Sequence, residues 1–275
     1  MEKLLDSITT IAKKAGEEIL SVYNDSRPID VTVKDDHSPL TIADRRANAV
    51  IVEQLQTLDD SIPLLSEELD QPDFSIRSQW SRYWLIDPLD GTKEFINRNG
   101  EFTVNIALID EGKPVLGVVH VPVTGVTYLG GSMVSGAWQD KPGESQQAIA
   151  VSRGLEQSDT LRIVASRSHR GALIDRLIEQ LKTRFNNIEV VSMGSSLKIC
   201  LLAEGKADLY PRLAPTSEWD TAAAHAVLYA AGGDVLTDQF VQLDYNQKAD
   251  ILNPHFLAIS DRQYDWVTLL QPGMP

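Results

Sequence analysis

The stretch "WLIDPLDGTKEF", residues 84–95, constrains this chain more than any other. An apolar run suited to a buried strand gives way within a few positions to Asp87, Pro88, Asp90, Gly91 and Thr92. Burying a carboxylate without a partner costs several kcal/mol or more, so the fold must supply a reason for acids at that place. Pro88 removes a backbone donor and holds Asp87 out of helical conformation, so the strand "YWLI" is expected to end there and the chain to turn. Such a turn can aim both carboxylates and the Leu89 carbonyl at one point, the hard-oxygen arrangement that Mg²⁺ selects. The first amides after Gly91 could hold a phosphate oxygen at a helix start. A surface turn is the plain alternative, because Asp-Pro and Asp-Gly are common turn dipeptides.

The rest of the chain decides whether these acids stand alone. Glu67-Glu68 follow the run "IPLLS" much as Asp87 follows "YWLI", so two strands would each end on acid, although such pairs also occur in solvated loops. Asp220 opens the alanine-rich segment "SEWDTAAAHAVLYAAGG", 217–233, where an acid ordinarily caps a helix or favours its dipole. The small residues Ala222, Ala223, Ala224 and Ala226 also allow that helix end to approach another segment closely, with Trp219 as an anchor. An aspartyl-phosphate mechanism needs two acids two apart on one face of the chain; here they are three apart with a proline between, and that register defeats it.

Elements can be read from hydrophobic spacing. Leu4, Leu5, Ile8, Ile11, Ala12, Ala15, Ile19 and Leu20 predict an amphipathic helix over 2–23, and Ala43, Ala47, Val50, Ile51 and Leu55 another over 41–57. Short strands follow at 62–66 and 83–87, then "FTVNIALID" and "PVLGVVHVP" joined by "EGK" as a hairpin. After a polar stretch at 136–147, strands and helices alternate, and Gly232-Gly233 should stop the alanine-rich helix.

With 275 residues, 43% of them hydrophobic, the chain has length for one large domain or two intimate ones. A net charge of −14 argues against nucleic-acid polymers, which need clustered Lys and Arg, while leaving room for a small anion if metal ions reverse the local sign. The amino terminus lacks a signal-peptide pattern and no run is long enough to span a membrane. A soluble, cytoplasmic protein is expected, with peripheral contact at a membrane surface left open, including the cytoplasmic face of an inner membrane. The single cysteine, Cys200, lies in an apolar periodic segment and reads as a core thiol. His225 reads as a packed core histidine, and His37, His120 and His255 are scattered with no His-Glu-x-x-His pattern. No Gly-x-Ser-x-Gly elbow supports a serine hydrolase.

Taken together, "WLIDPLDGTKEF", "EWDTAAAHAVLYAAGG" and "LLSEE" resemble the motifs of the Mg²⁺-dependent, lithium-sensitive phosphatases that include inositol monophosphatase, fructose-1,6-bisphosphatase and the 3′(2′),5′-bisphosphate nucleotidases. Lys93-Glu94 after the first motif is similar to the bisphosphate nucleotidase branch. The resemblance implies an α/β (α+β) fold, a five-layered α/β/α/β/α sandwich. Residues 1–135 would form an α+β subdomain with most metal ligands, and 150–275 an α/β subdomain carrying Asp220 and nucleotide contacts, together one compact catalytic unit. It implies two or three Mg²⁺ on Glu67, Asp87, the Leu89 carbonyl, Asp90 and Asp220, with Asp44 and Thr92 as the water-activating pair and Glu67 sharing in catalysis.

The chemistry permitted is direct hydrolysis: a Mg²⁺-activated water, oriented and deprotonated by Thr92 and Asp44, attacks phosphorus in line without a covalent intermediate. Asp90, Asp220 and the Gly91 and Thr92 amides would face the phosphoryl group. Li⁺ inhibition would follow if Li⁺ took one Mg²⁺ position. The implied substrate is adenosine 3′,5′-bisphosphate, hydrolysed to AMP and phosphate in sulfur assimilation, by a monomer or homodimer. A second phosphate requires cationic or hydroxyl donors, for which His169, Ser195, Ser196, Lys198 and Arg212 are candidates, though each also reads as a solvated or locally capping side chain. An inositol- or sugar-phosphate phosphatase would share all the metal chemistry, and a non-catalytic metal or nucleotide sensor is the reading from another class.

Overall fold

The computed structural model describes residues 2–25, 31–33, 39–165 and 172–270. The first predicted helix forms as α1, Glu2–Tyr23, and buries Leu5, Ile8, Ile11, Ala12, Ala15 and Ile19. A short ribbon, β1 (Val31–Val33) with β2 (Pro39–Thr41), leads into α2, Ile42–Leu58. The buried face of α2 carries Ala43, Ala47, Ile51 and Leu55 as predicted, and also two polar residues, Asp44 and Asn48.

The chain then builds a seven-stranded sheet. Its strands are β3 (Leu64–Ser66), β4 (Arg82–Asp90), β5 (Thr103–Asp110), β6 (Lys113–His120), β7 (Thr127–Gly131), β8 (Gly136–Asp140) and β9 (Gln147–Ile149), with α3 (Phe74–Arg77) before β4 and α4 (Thr92–Ile96) after it. Spatial order follows chain order, and every neighbouring pair is antiparallel except β3 with β4. The hairpin of β5 and β6 turns on Glu111 and Gly112, both at positive φ, as a tight two-residue turn requires. The polar stretch 136–147 is not a bare connection: it contains β8 and leads into β9, with Ala137 and Gln139 buried beneath exposed or half-buried neighbours.

A second, five-stranded sheet follows. It comprises β10 (Thr160–Ala165), β11 (Asn187–Ser192), β12 (Leu209–Arg212), β13 (Asp234–Thr237) and β14 (Phe256–Ile259), in the order β11-β10-β12-β14-β13. Helices α5 (Ala172–Leu181), α6 (Leu197–Ala203), α7 (Ala222–Ala231) and α8 (Trp266–Leu270) complete the fold.

Three apolar clusters hold five layers together, the expected α/β/α/β/α sandwich, with one cluster spanning both faces of the central helices. Alternation along β4 sends Trp84 and Ile86 toward α1 and α2, and Tyr83 and Leu85 toward α6 and α7. The far face of the second sheet packs Ile163, Leu209 and Leu257 against Leu177 of α5 and Trp266 of α8. Among the described residues no helix is long and apolar enough to cross a membrane.

Two local differences from the sequence reading position the site. β4 does not end at Asp87; it continues to Asp90 through a bulge, because Asp87 pairs with Asn105 and Asp90 with Thr103. Three steps on β4 thus match two on β5. In a regular strand residues three apart face opposite sides; the extra residue turns both carboxylates to the same side. Secondly, Asp220 lies in a 3₁₀ turn, Glu218–Asp220, ahead of α7 rather than in its first turn. Ser217 and Asp220 close a capping box across that turn, which holds it apart from the helix proper. Gly232 stops α7 at φ 110, as predicted.

Candidate active site and metal centre

The bulge brings Asp87 and Asp90 together at the end of β4, where Asp220 arrives from the second half of the chain. One carboxylate oxygen from each of the three lies within 4.8 Å of the others. Glu67 joins them because its N–H donates to the Ile86 carbonyl at 3.1 Å, continuing the parallel ladder of β3 on β4 and setting Glu67 beside Asp87. Their carboxyl groups share a hydrogen bond. Three distant stretches therefore contribute four acids to one place.

The electrostatic consequence is strong. Burial, then the charges of Glu67, Asp90 and Asp220, hold the Asp87 carboxyl well above the ordinary carboxylate range. Burial and the neighbouring Asp90 push Asp220 up to about 6, against hydrogen bonds from the Thr216 hydroxyl and the Ser217 N–H that favour its charge. Among the described residues no Lys or Arg pairs directly with Asp87, Asp90 or Asp220. Hard oxygen donors that converge without a directly paired cationic side chain fit a divalent cation such as Mg²⁺.

Each acid is aimed by its surroundings. Asp87 accepts the Leu89 N–H at 3.0 Å across the bulge. Asp90 accepts the Ser196 N–H at 2.5 Å, and its same oxygen lies 2.8 Å from the Ser196 hydroxyl, which is also 2.6 Å from the Asp220 carbonyl. Asn105, opposite Asp87 on β5, donates its amide to that hydroxyl at 2.9 Å. Ser196 thus spends its polar groups on the acid segments themselves.

Asp44 and Thr92, 48 residues apart in sequence, also come together: the Thr92 hydroxyl is 3.4 Å from Asp44 Oδ1 and 3.4 Å from the Leu89 carbonyl. Asp44 is buried at the start of α2, where its other oxygen accepts the Thr41 N–H at 2.8 Å and the Thr41 hydroxyl at 2.6 Å. Gly91, at φ 94, makes the left-handed step from β4 into α4 that brings Thr92 there.

A cleft of 270 Å³ adjoins the acids, with Asp90, Gly91 and Asp220 on its wall together with Ser195, Ser196, Lys198 and Arg212. The Lys198 ammonium lies 5.7 Å over the Tyr210 ring, and burial lowers its pKa while Asp90 opposes the shift. Arg212 donates to the carbonyls of Ala214 at 3.0 Å and Pro215 at 2.7 Å. Ser195 adopts φ 47, a left-handed conformation uncommon for serine. His169 lies outside the described residues, as does His37.

The expectations of a core thiol at Cys200 and a packed histidine at His225 hold. Cys200 is fully buried and its thiol is pushed well up by burial. His225 is fully buried between the Tyr245 hydroxyl and Asp234, each 3.0 Å away. Sequence reasoning missed Thr41, Asn105 and Thr216. The first and last left a local signal, since "TIAD" and "TSEWD" each place a hydroxyl residue three or four positions before an acid, but nothing near Asn105 announces its role.

The model of the inositol monophosphatase family matches residues 1–263, so the chain belongs to that family. Within it, the chain is 49% identical over 254 residues to the 3′(2′),5′-bisphosphate nucleotidase CysQ of Escherichia coli O6:H1, covering 92% of this chain and 98% of that one. It is 41% identical to the protein of the same name from Buchnera aphidicola subsp. Acyrthosiphon pisum, covering 93% of each. The crystal structure of CysQ from Bacteroides thetaiotaomicron superimposes with a TM-score of 0.79 at 43% identity, over 93% of this chain and 96% of that one.

Proposed function

We propose that the chain is a Mg²⁺-dependent 3′(2′),5′-bisphosphate nucleotidase that hydrolyses adenosine 3′,5′-bisphosphate to AMP and phosphate, a step in sulfur assimilation. The observation that carries the reading is a four-acid cluster sharing one cleft with Lys198 and Arg212, in a chain similar to CysQ nucleotidases over nearly its whole length.

In this reading Glu67, Asp87, the Leu89 carbonyl, Asp90 and Asp220 would hold two or three Mg²⁺. Bound there, the ions would neutralise the acids, acidify a water and counter the charge on the phosphoryl and leaving oxygens. Thr92 orients that water through its hydroxyl, and Asp44, itself oriented by Thr41, receives its proton. Attack is in line on phosphorus, the bond to the ribose 3′-oxygen opposite the water breaks and that oxygen takes a proton from solvent, while the Gly91 and Thr92 amides steady the equatorial oxygens. Ser196 keeps Asp90 and the Asp220 backbone in register. Lys198, Arg212, Ser195 and His169 would meet the second phosphate and the nucleoside; Arg212 would trade its loop carbonyls for the charged ligand.

Phosphate release with Mg²⁺ from adenosine 3′,5′-bisphosphate, inositol 1-phosphate and fructose 1,6-bisphosphate, measured side by side, tests the assignment. Preference for the nucleotide by at least tenfold is expected. Comparable rates on inositol phosphate would move the chain to the sugar-phosphate branch, and no release from any substrate would make it a sensor. Li⁺ should inhibit in competition with Mg²⁺.

A further inference from the structure

Arg77, at the end of α3, stands among the largest fully buried side chains of the molecule, at 2% exposure. Among the described residues its hydrogen-bond acceptors are all neutral, with the Glu218 carboxylate near enough to attract its charge without a direct bond. It donates to the Asn246 side-chain oxygen, and to the carbonyls of Lys248 at 3.0 Å and Ala249 at 2.6 Å. Asn246 returns the contact, its amide donating to the Arg77 carbonyl at 2.6 Å. A buried cation is expensive to maintain, and an apolar side chain of similar volume often serves stability as well or better. Packing alone therefore does not account for it.

The loop that Arg77 holds bonds the β5–β6 hairpin through Tyr245 and also makes several contacts with the turn carrying Asp220. The Asn246 N–H donates to the Glu218 carboxylate at 2.8 Å, and the Glu218 N–H to the Ile251 carbonyl at 2.9 Å. The Asn253 N–H donates to the Thr216 carbonyl at 2.8 Å, and its amide to the Ser217 carbonyl at 2.8 Å. Asn246 adopts φ 58, a left-handed step that asparagine tolerates better than most residues and that directs its N–H and side chain to different partners. Arg77 itself lies between Glu67 and Asp87 in sequence. The path from Arg77 through Asn246 to Glu218 thus ties the segment flanked by two of the acids to the turn that presents the distant third.

We infer that Arg77 is a positioning residue for metal binding: with Asn246 and Glu218 it forms a brace that fixes Asp220 at ion-sharing distance from Asp87 and Asp90. This rests on the metal reading above. A site of this kind tolerates only about half an ångström of displacement, and partners that orient ligands commonly affect metal affinity by about tenfold or more.

Calorimetric titration of metal-free protein with Mg²⁺, alongside thermal unfolding, tests the brace without relying on turnover. Arg77→Met removes the donors at similar length; Asn246→Gly keeps the left-handed backbone and removes only the side chain. Arg162→Met is the control, since it breaks a part-buried pair with Asp208, and neither residue lines the cleft beside the acids. About tenfold weaker Mg²⁺ binding is expected in the first two variants, with the control at wild-type affinity. Unchanged affinity in Asn246→Gly, or equal weakening in the control, would overturn the brace whatever the melting temperatures do. A wild-type protein that takes up no Mg²⁺ would instead overturn the metal reading, and the brace with it.

Discussion

Gly117 of β6 and Ala223 of α7 meet backbone to backbone: a Cβ at Gly117 would stand 2.1 Å from the Ala223 carbonyl oxygen. The small residues at the start of α7 and the missing side chain on the strand are two halves of one contact, and that contact lets the turn bearing Asp220 reach the sheet. Gly117→Ala should cost about 3 kcal/mol or more, because the obstruction is main chain and cannot rotate away. Thermal unfolding checks this; a wild-type melting temperature would contradict it.

In the proposed mechanism Asp44 and Thr92, joined at 3.4 Å, serve the attacking water rather than the ions, so their loss should separate water activation from metal holding. Asp44→Asn should lower kcat about 10²- to 10⁴-fold, the usual worth of a general base, while Mg²⁺ affinity changes far less. Thr92→Val should act in the same direction. Equal losses in metal affinity and kcat would reassign both residues to the metal site.

The raised Asp87 and Asp220 pKa values make metal-free stability depend on pH in a defined direction. Between the unfolded value near 4 and the folded value of about 6 for Asp220, the folded state holds a proton that the unfolded state has lost. This contribution is therefore present at low pH and lost as pH rises through that window, where deprotonated acids begin to repel. Mg²⁺ relieves the repulsion, so its stabilising effect should be small near pH 4 and grow through pH 6. A metal-induced shift in melting temperature that is the same at both values would contradict the cluster's origin of the effect.

His120 runs the opposite way. Burial, reinforced by the Lys13 charge, lowers its pKa to about 4, with its ring hydrogen-bonded to the Thr127 hydroxyl at 2.9 Å. The unfolded histidine takes up a proton near pH 6.5 while the folded one stays neutral, so stability is lost as pH falls from about 6.5 to about 4, by about 3 kcal/mol in all. His120→Gln should flatten that part of the profile in Mg²⁺-saturated protein, read from denaturant midpoints across pH.

Much of this was legible before any coordinates. The faces of α1 and α2 follow from spacing, and the Glu111-Gly112 turn from its two residues, because both signals are local. The acids themselves announced the site through the cost of burying them. What sequence could not express was register: the one extra residue in β4 that turns Asp87 and Asp90 to a common side depends on pairing with β5. The strand β8 was hidden for a related reason, since its five residues lead straight into the polar run after Gln139 and read as a connection until β7 paired with them. Ser196 carried a hydroxyl suited to a nucleotide, and only the fold set that hydroxyl beside Asp90 and the Asp220 carbonyl. Arg77 and Asn246 are 169 residues apart, and neither residue type marks the other.

The most direct measurement is anomalous diffraction from crystals soaked in Mn²⁺ as a stand-in for Mg²⁺. The account predicts metal peaks bridged by Asp87, Asp90 and Asp220, with Glu67 and the Leu89 carbonyl completing the shell, and loss of a peak in Asp220→Asn. Well-ordered crystals with no peak among these carboxylates, or with Asp90 and Asp220 bound to no common ion, would contradict it.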